Sequence, residues 1–296
     1  MTLPNLTQKQ KDIVDTVFLH RFINRAQLQK VFTHKDSKRI NVWLKDLVEK
    51  NYLGRIYSKK FFENTKPAIY YLSLNGIRYI RQEKIPKRLR KNNPVLRNLY
   101  FEKKKSETFI NHNLYISELY ANLAKDNFYI VKDEDFKFKF YTFSFTTRQR
   151  LLLKNGFKDH KEIIPDVYLR IPDVLSKTKP KKGSKTNDNK SYFLNLFDYH
   201  VPQYALKHRV DQIIEFYDYE FSKVKAEMNI GGFPTILFIF INPKRIKKIR
   251  TYIHHKLEME GDLGNITFLL TTSKELEYKG FNDSSIWKTI RTDEDW

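Results

Sequence analysis

Cysteine is missing altogether from the 296 residues. Its absence excludes disulfide frameworks, Cys-ligated zinc, iron–sulfur clusters and cysteine nucleophiles together. Glycine is scarce as well: nine residues leave little room for a phosphate loop or a dinucleotide-binding turn, and neither motif occurs. No apolar stretch is long. The longest, residues 233–241, falls well short of the ~20 residues a membrane-crossing helix needs. The opening MTLPNLTQKQ lacks the apolar core of a signal peptide, so a cytoplasmic location is expected. Eight histidines, including the pair His254-His255, never fall at zinc-ligand spacing, and no cofactor or metal is expected.

Acidic residues are in deficit. Against 55 Lys and Arg stand 34 Asp and Glu, a formal net charge of +21. Aromatics are plentiful: 18 Tyr, 23 Phe and 3 Trp are too many for a chain disordered throughout. At roughly 150 residues per domain the length predicts two domains, each with its own core.

The positive charge is unevenly placed. Residues 1–84 hold 17 basic and 7 acidic side chains, residues 85–105 hold 8 and 1, and the remainder hold 30 and 26. A solubility surface mixes both signs along its length. Charge gathered in the first third attracts a polyanion, and double-stranded DNA is the expected partner because each phosphate contact releases counterions.

Local patterning in that third predicts a winged helix-turn-helix over residues 1–84. Ile13, Val14, Val17 and Phe18 mark one face of a first helix from Gln8 to Leu19. Asn24 followed by Gln27 is a capping-box pattern opening a second, with Leu28, Val31 and Phe32 inward. Asp36 or Ser37 caps a third, whose inner face holds Ile40, Trp43, Leu44 and Leu47. Its outer face opens with Lys38, Arg39, Asn41 and Lys45. Such a face suits a major groove, where Asn and Arg read base edges and Lys holds phosphates. Two strands follow, Tyr52–Tyr57 and Pro67–Leu72, joined by a polar segment bearing Lys59, Lys60 and Lys66. Three helices and a basic hairpin is the order of a winged helix.

Residues 85–105 read as a basic linker. Pro86 and Pro94 interrupt any long helix, and Lys87, Arg88, Arg90 and Lys91 are candidates to lie along a phosphate backbone. From residue 106 onward the pattern predicts one mixed-sheet α/β domain. Its expected elements are a helix over His112–Asn122 and strands at Phe128–Val131, 136–145, Ile164–Ile171, Tyr192–Phe197, Phe233–Ile241 and Ile266–Thr271. Helices are expected over Pro202–Val224 and Pro243–Leu257. The continuously apolar 233–241 strand should lie at the centre of the sheet.

Asp166 and Asp198, on neighbouring strands, are the weak catalytic candidates. Paired carboxylates can hold a divalent cation that generates hydroxide, the chemistry of a metal-dependent nuclease. The residue two past Asp198 is His200 rather than lysine, and the nearest cations are Lys207 and Arg209 on the next helix. A capping or turn role for both aspartates is the favoured reading.

Several short stretches carry a family resemblance. They are Pro67-Ala68-Ile69-Tyr70-Tyr71-Leu72-Ser73-Leu74-Asn75-Gly76, the segment at His112-Asn113-Leu114, Ile164-Pro165-Asp166-Val167-Tyr168-Leu169, and Phe193–Asp198 leading to Tyr217 and Tyr219. Together they resemble the replication-relaxation proteins of bacterial plasmids and integrative elements. The resemblance implies a DNA-binding protein linked to plasmid replication, mobilisation or relaxation. It also implies a C-terminal domain similar to the restriction-endonuclease fold. Where that family has Glu-x-Asp, this chain has Leu196-Phe197-Asp198; where Arg-Gly-Thr follows, it has Tyr199-His200-Val201. An apolar residue cannot ligate a metal, so a nuclease-like scaffold without activity is expected.

The resulting expectation is a non-enzymatic DNA-binding accessory or regulatory protein of a mobile element. Other mobilisation or replication proteins, or a second copy in a homodimer, would meet the α/β domain, and no membrane is involved. The alternatives are a divalent-metal nuclease using Asp166 and Asp198, and an interaction protein whose basic region binds an acidic partner.

Overall fold

A computed structural model describes residues 3–57, 66–85, 87, 90, 94–126, 130–132, 138–140, 144–148, 164–172, 189–197, 201–220, 233–259, 266–281 and 283–290. The chain divides into two compact units, Met1–Phe128 and Tyr129–Trp296.

The amino-terminal unit begins with α1 (Gln8–His20), β1 (Ile23–Asn24), α2 (Arg25–Val31) and α3 (Ser37–Glu49). Capping chemistry sets these starts. Thr7 and Gln10 form a reciprocal capping box on α1, Asn24 and Gln27 another on α2, and the Asp36 side chain accepts from the Lys38 amide at α3. Of the two residues proposed to cap α3, Asp36 does so. Ile40, Leu44 and Leu47 on α3 are fully buried, each burial worth about 1.5–3 kcal/mol.

The strands β2 (Leu53–Ile56) and β3 (Ile69–Leu72) pair antiparallel, with Leu53 opposite Leu72 and Arg55 opposite Tyr70. The two-residue β1 joins the other edge of β3, giving the order β1-β3-β2. That strand was not anticipated, because two residues carry no periodicity to detect.

The motif Ser73-Leu74-Asn75-Gly76 opens α4 (Leu74–Glu83), and its work is structural. Asn75 donates its side-chain amide to the Lys50 carbonyl at 2.9 Å and its backbone amide to Asn51 O at 3.0 Å. The Ser73 amide donates to Tyr52 O at 2.9 Å. A Cβ on Gly76 would lie 2.2 Å from that same carbonyl oxygen. These contacts clamp α4 to the turn that ends α3. Gly76→Ala should therefore cost about 1–3 kcal/mol, since backbone must move to admit one methyl. A urea midpoint equal to that of the parent chain would remove this account.

Next come α5 (Pro94–Leu99), a short 3-10 turn at Glu102–Lys104, and α6 (Glu107–Asp126). The sequence placed the second domain's start at residue 106. In the structure α6 belongs to the first unit, which runs to Phe128. Gln27 donates to Leu114 O at 2.9 Å and Ser117 donates to Phe22 O at 2.7 Å. The span 85–105 accordingly falls inside the stretch of chain assigned to the first unit, Met1–Phe128.

The carboxyl-terminal unit contains a two-stranded antiparallel pair, β4 (Ile130–Lys132) and β5 (Phe138–Phe140). Its main sheet has six strands: β6 (Ser144–Thr147), β7 (Val167–Pro172), β8 (Asn189–Phe197), β9 (Thr235–Phe240), β10 (Phe268–Thr272) and β11 (Lys288–Ile290). The order is β11-β10-β9-β8-β7-β6. The β8–β9 and β9–β10 pairs are parallel and the rest antiparallel, so the sheet is mixed. As its apolar run predicted, β9 lies inside the sheet, with Ile236 to Phe240 wholly buried. Residues 136–145, expected as one strand, contribute to two strands in different sheets.

Among the described residues three α-helices accompany the sheet: α7 (Gln203–Glu215), continued by a π-turn at Phe216–Glu220, then α8 (Lys244–Met259) and α9 (Ser273–Lys279). One core cluster joins Leu206, Val210 and Ile213 of α7 with Ile246, Ile249 and Ile253 of α8. Phe193, Phe197, Phe238 and Phe240 supply the sheet side of that cluster. The fold class is therefore mixed α and β, with an antiparallel three-stranded sheet in one unit and a mixed six-stranded sheet in the other. Among the described residues no helix is long and apolar enough to cross a membrane.

Candidate nucleic-acid interface

The outward face of α3 follows from its inward one. With Ile40, Leu44 and Leu47 in the core, 100° per residue turns Lys38, Arg39, Asn41, Val42 and Lys45 to the surface, and all five are exposed. Trp43, expected inside, is only half-buried. Its ring lies 5.3 Å from His34, and the Arg39 guanidinium stands 5.6 Å above it. That contact orients Arg39 while leaving its charge toward solvent. Lys45 makes an exposed pair with Glu49 at 3.8 Å, a weak interaction that a stronger anion displaces easily.

Beside Asn41 lies a cavity of about 350 Å³. It is lined by Arg25, Asn41, Tyr57, Lys66, Pro67, Ala68 and Tyr70, so α2, α3, β3 and the residues just after β2 and before β3 contribute to it. Arg55 adds a further cation at the rim, its guanidinium 5.6 Å from the Tyr57 ring. Burial holds the Tyr70 hydroxyl above its ordinary pKa, with the Arg55 and Arg25 charges pulling the other way. Tyr70 thus stays a neutral hydrogen-bonding group. The result is an open, cationic groove lined by the Asn41 amide, the buried Tyr70 and the exposed Tyr57.

Sequence reasoning missed Arg25, Arg55 and Tyr57. Arg25 sits at the first position of α2, where its charge runs against the helix dipole. Arg55 and Tyr57 share one face of a strand. Only the pairing of Arg55 opposite Tyr70 brings them to the mouth of the groove.

The other candidates divide. Lys66 is exposed and lines the groove, and Lys87 is exposed. Arg90 is engaged at home: its guanidinium donates to Ile85 O at 2.8 Å and Gln82 O at 2.5 Å. It caps the carbonyls at the end of α4, a common use of a cation at a helix C-terminus. Lys59, Lys60, Arg88 and Lys91 lie outside the described residues.

Of the two aspartates, Asp198 lies outside the described residues. Asp166 precedes β7, and its carboxylate accepts the Leu196 amide from β8 at 2.9 Å while its carbonyl accepts the Arg148 amide at 2.8 Å. It joins the ends of three neighbouring strands. Of the nearby cations, Arg209 is likewise occupied and Lys207 is exposed. Arg209 donates through Nε and Nη2 to Asn195 Oδ1 at 3.1 and 2.8 Å, and to Ile164 O at 2.9 Å, while Lys207 lies 4.7 Å above the Tyr252 ring. Among the described residues no three His, Cys, Asp or Glu side chains gather to hold a metal ion.

A model of the replication-relaxation family matches residues 16–191. That span covers more than half of the chain, from α1 into β8. No curated protein and no solved structure matches the chain.

Proposed function

The chain belongs to the replication-relaxation family, and from that premise we propose that it is a non-enzymatic DNA-binding accessory or regulatory protein of a mobile genetic element. It would act in plasmid replication, mobilisation or relaxation. The amino-terminal unit is read as a winged helix that lays α3 in the major groove of a duplex. The observation that carries this reading is the exposed α3 face of Lys38, Arg39, Asn41 and Lys45, from which Asn41 lines a groove shared with Arg25, Tyr57, Lys66 and Tyr70.

Each residue type has a role there. Asn41 presents an amide suited to the paired donor and acceptor on an adenine edge. Lys38, Lys45 and Lys66 hold phosphates, fixing register without reading sequence. Arg25 and Arg55 extend the positive field across the groove. The carboxyl-terminal unit is read as a nuclease-like scaffold without catalysis. Two features support this: the Asp166 carboxylate accepts a backbone amide, and the apolar Leu196 occupies the position where the family resemblance implies glutamate.

Selection of duplexes from a random pool, followed by anisotropy titrations over a salt series, tests the reading. Lys45→Gln should weaken every duplex alike and flatten the log–log salt slope by about 0.9, the value for one phosphate contact. Asn41→Ala should cost about 1–3 kcal/mol on the selected duplex and relax preference at one base pair. If both variants bind as the parent does, α3 is not the reading helix.

A further inference from the structure

The carboxyl-terminal unit carries its own segregated charge. Helix α8, KRIKKIRTYIHHKLEM, holds six Lys and Arg and a single Glu. Its apolar face, Ile246, Ile249, Ile253 and Leu257, is buried in the core. This turns Lys244, Lys247, Lys248, Thr251 and His255 outward, and all five are exposed. At 1.5 Å rise per residue, Lys244 to His255 forms a track roughly 16 Å long.

Stability alone does not account for that arrangement. The first turn contains no acidic residue and is filled with cations, although the positive end of the helix dipole favours acids there. Among the described residues none of Lys244, Lys247 and Lys248 has a carboxylate partner. The carboxylates near α8 sit toward its other end. Glu258 pairs with His254 at 3.1 Å, and Asp211 of α7 accepts the Tyr252 hydroxyl and faces Lys256 at 3.6 Å. On α7, Lys207 is drawn over the Tyr252 ring at 4.7 Å, which brings another exposed cation alongside. Arg245 is a tether, donating to the Val201 carbonyl.

We propose that the lysine face of α8, extended by Lys207 of α7, is a second, sequence-independent contact for the phosphate backbone of duplex DNA. The proposal rests on the reading of this chain as a duplex-binding protein. Two features favour phosphate over a protein partner. The outward cations are lysines, mobile point charges that meet phosphates without a fixed geometry. Between Lys244 and His255 no large apolar side chain is exposed, and the exposed Tyr204 of α7 and Met259 at the end of α8 are single residues outside that track, whereas a protein interface needs an apolar or aromatic centre.

The test uses the full chain carrying Lys244→Gln, Lys247→Gln and Lys248→Gln together. A matched control replaces Lys274, Lys279 and Lys288, exposed lysines of the same unit, with Gln. Both have the same net charge, so a difference between them reports location. Anisotropy titrations of a duplex against sodium chloride should show the α8 triple variant losing about 2.7 from its salt slope, three contacts at about 0.9 each. Its base preference should be unchanged, and the control should match the parent. An α8 variant with the parent's slope, or a control that loses as much, overturns the proposal. So does unchanged duplex binding accompanied by lost binding to polyglutamate, which would assign the face to an acidic polypeptide. Asn41→Ala and Lys45→Gln, run in parallel, separate the two readings. If those leave binding intact while the α8 triple variant weakens it, the α3 assignment fails and this one stands.

Discussion

Lowering the pH from 7 to 5 is expected to remove about 2 kcal/mol from the stability of the amino-terminal unit through a single side chain, at about 1.4 kcal/mol per pH unit below 6.5. His20 ends α1 fully buried, its ring 4.7 Å from Tyr120. Burial lowers its pKa from 6.5 to about 3, because the imidazolium would lose its water. The folded state therefore keeps a neutral ring, while the unfolded chain takes up a proton below 6.5. Between about 3 and 6.5 the unfolded state binds more protons, so stability is complete above that window and declines as pH falls through it. Urea midpoints at pH 7 and pH 5 measure the effect. His20→Phe shifts absolute stability through its added volume but should show a pH dependence weaker by that amount. Identical slopes in parent and variant would assign the acid sensitivity to carboxylates instead.

Arg21→Met is expected to destabilise the same unit by about 3–5 kcal/mol, because it strands a buried carboxylate. Glu102 is 1% exposed, and its Oε1 accepts from Arg21 Nε at 2.9 Å and Nη2 at 2.5 Å. The guanidinium also stacks 4.5 Å from the Phe109 ring centroid. Burial pushes the Glu102 carboxyl above its usual range, against the pull of the Arg21 charge, which shows how much water the site has given up. Arg21 pays a backbone cost as well, with φ at 65°, where side chains other than glycine's are crowded. Removing both charges as Arg21→Met with Glu102→Leu should recover most of the loss, since a matched apolar pair needs no desolvation. Thermal unfolding of the two single variants and the double closes the cycle. A double variant as unstable as Arg21→Met would show that the pair is not the cause.

This ion pair also shows what the composition of residues 85–105 conceals. Eight basic side chains against one acidic read as a solvated run. Yet the single acid, Glu102, is the one buried under Arg21, and Arg90 is turned inward onto the end of α4. One carboxylate in a basic stretch is invisible to a charge sum, and it ties Glu102 to the end of α1. The same averaging hid α8. Spread over residues 106–296 its charge nearly vanished among 30 basic and 26 acidic side chains, although six of the basic ones share one helix.

The division between what was legible and what was not follows the range of the interaction. Capping boxes span three residues and amphipathic faces repeat every three or four, so Asn24 with Gln27, the cap at Asp36 and the outward face of α3 could be read from neighbours in the chain alone. The buried run in β9 was equally plain, because a strand covered on both faces must be apolar throughout. Contacts across 80 to 95 residues leave no such local period. Arg21 on Glu102, Gln27 on Leu114 and Ser117 on Phe22 are set by closure of the chain, and they moved α6 into the first unit. The groove beside Asn41 belongs to this second kind. Its cations come from α2, β2 and the segment before β3, and only the antiparallel pairing of β1, β3 and β2 brings them to one place.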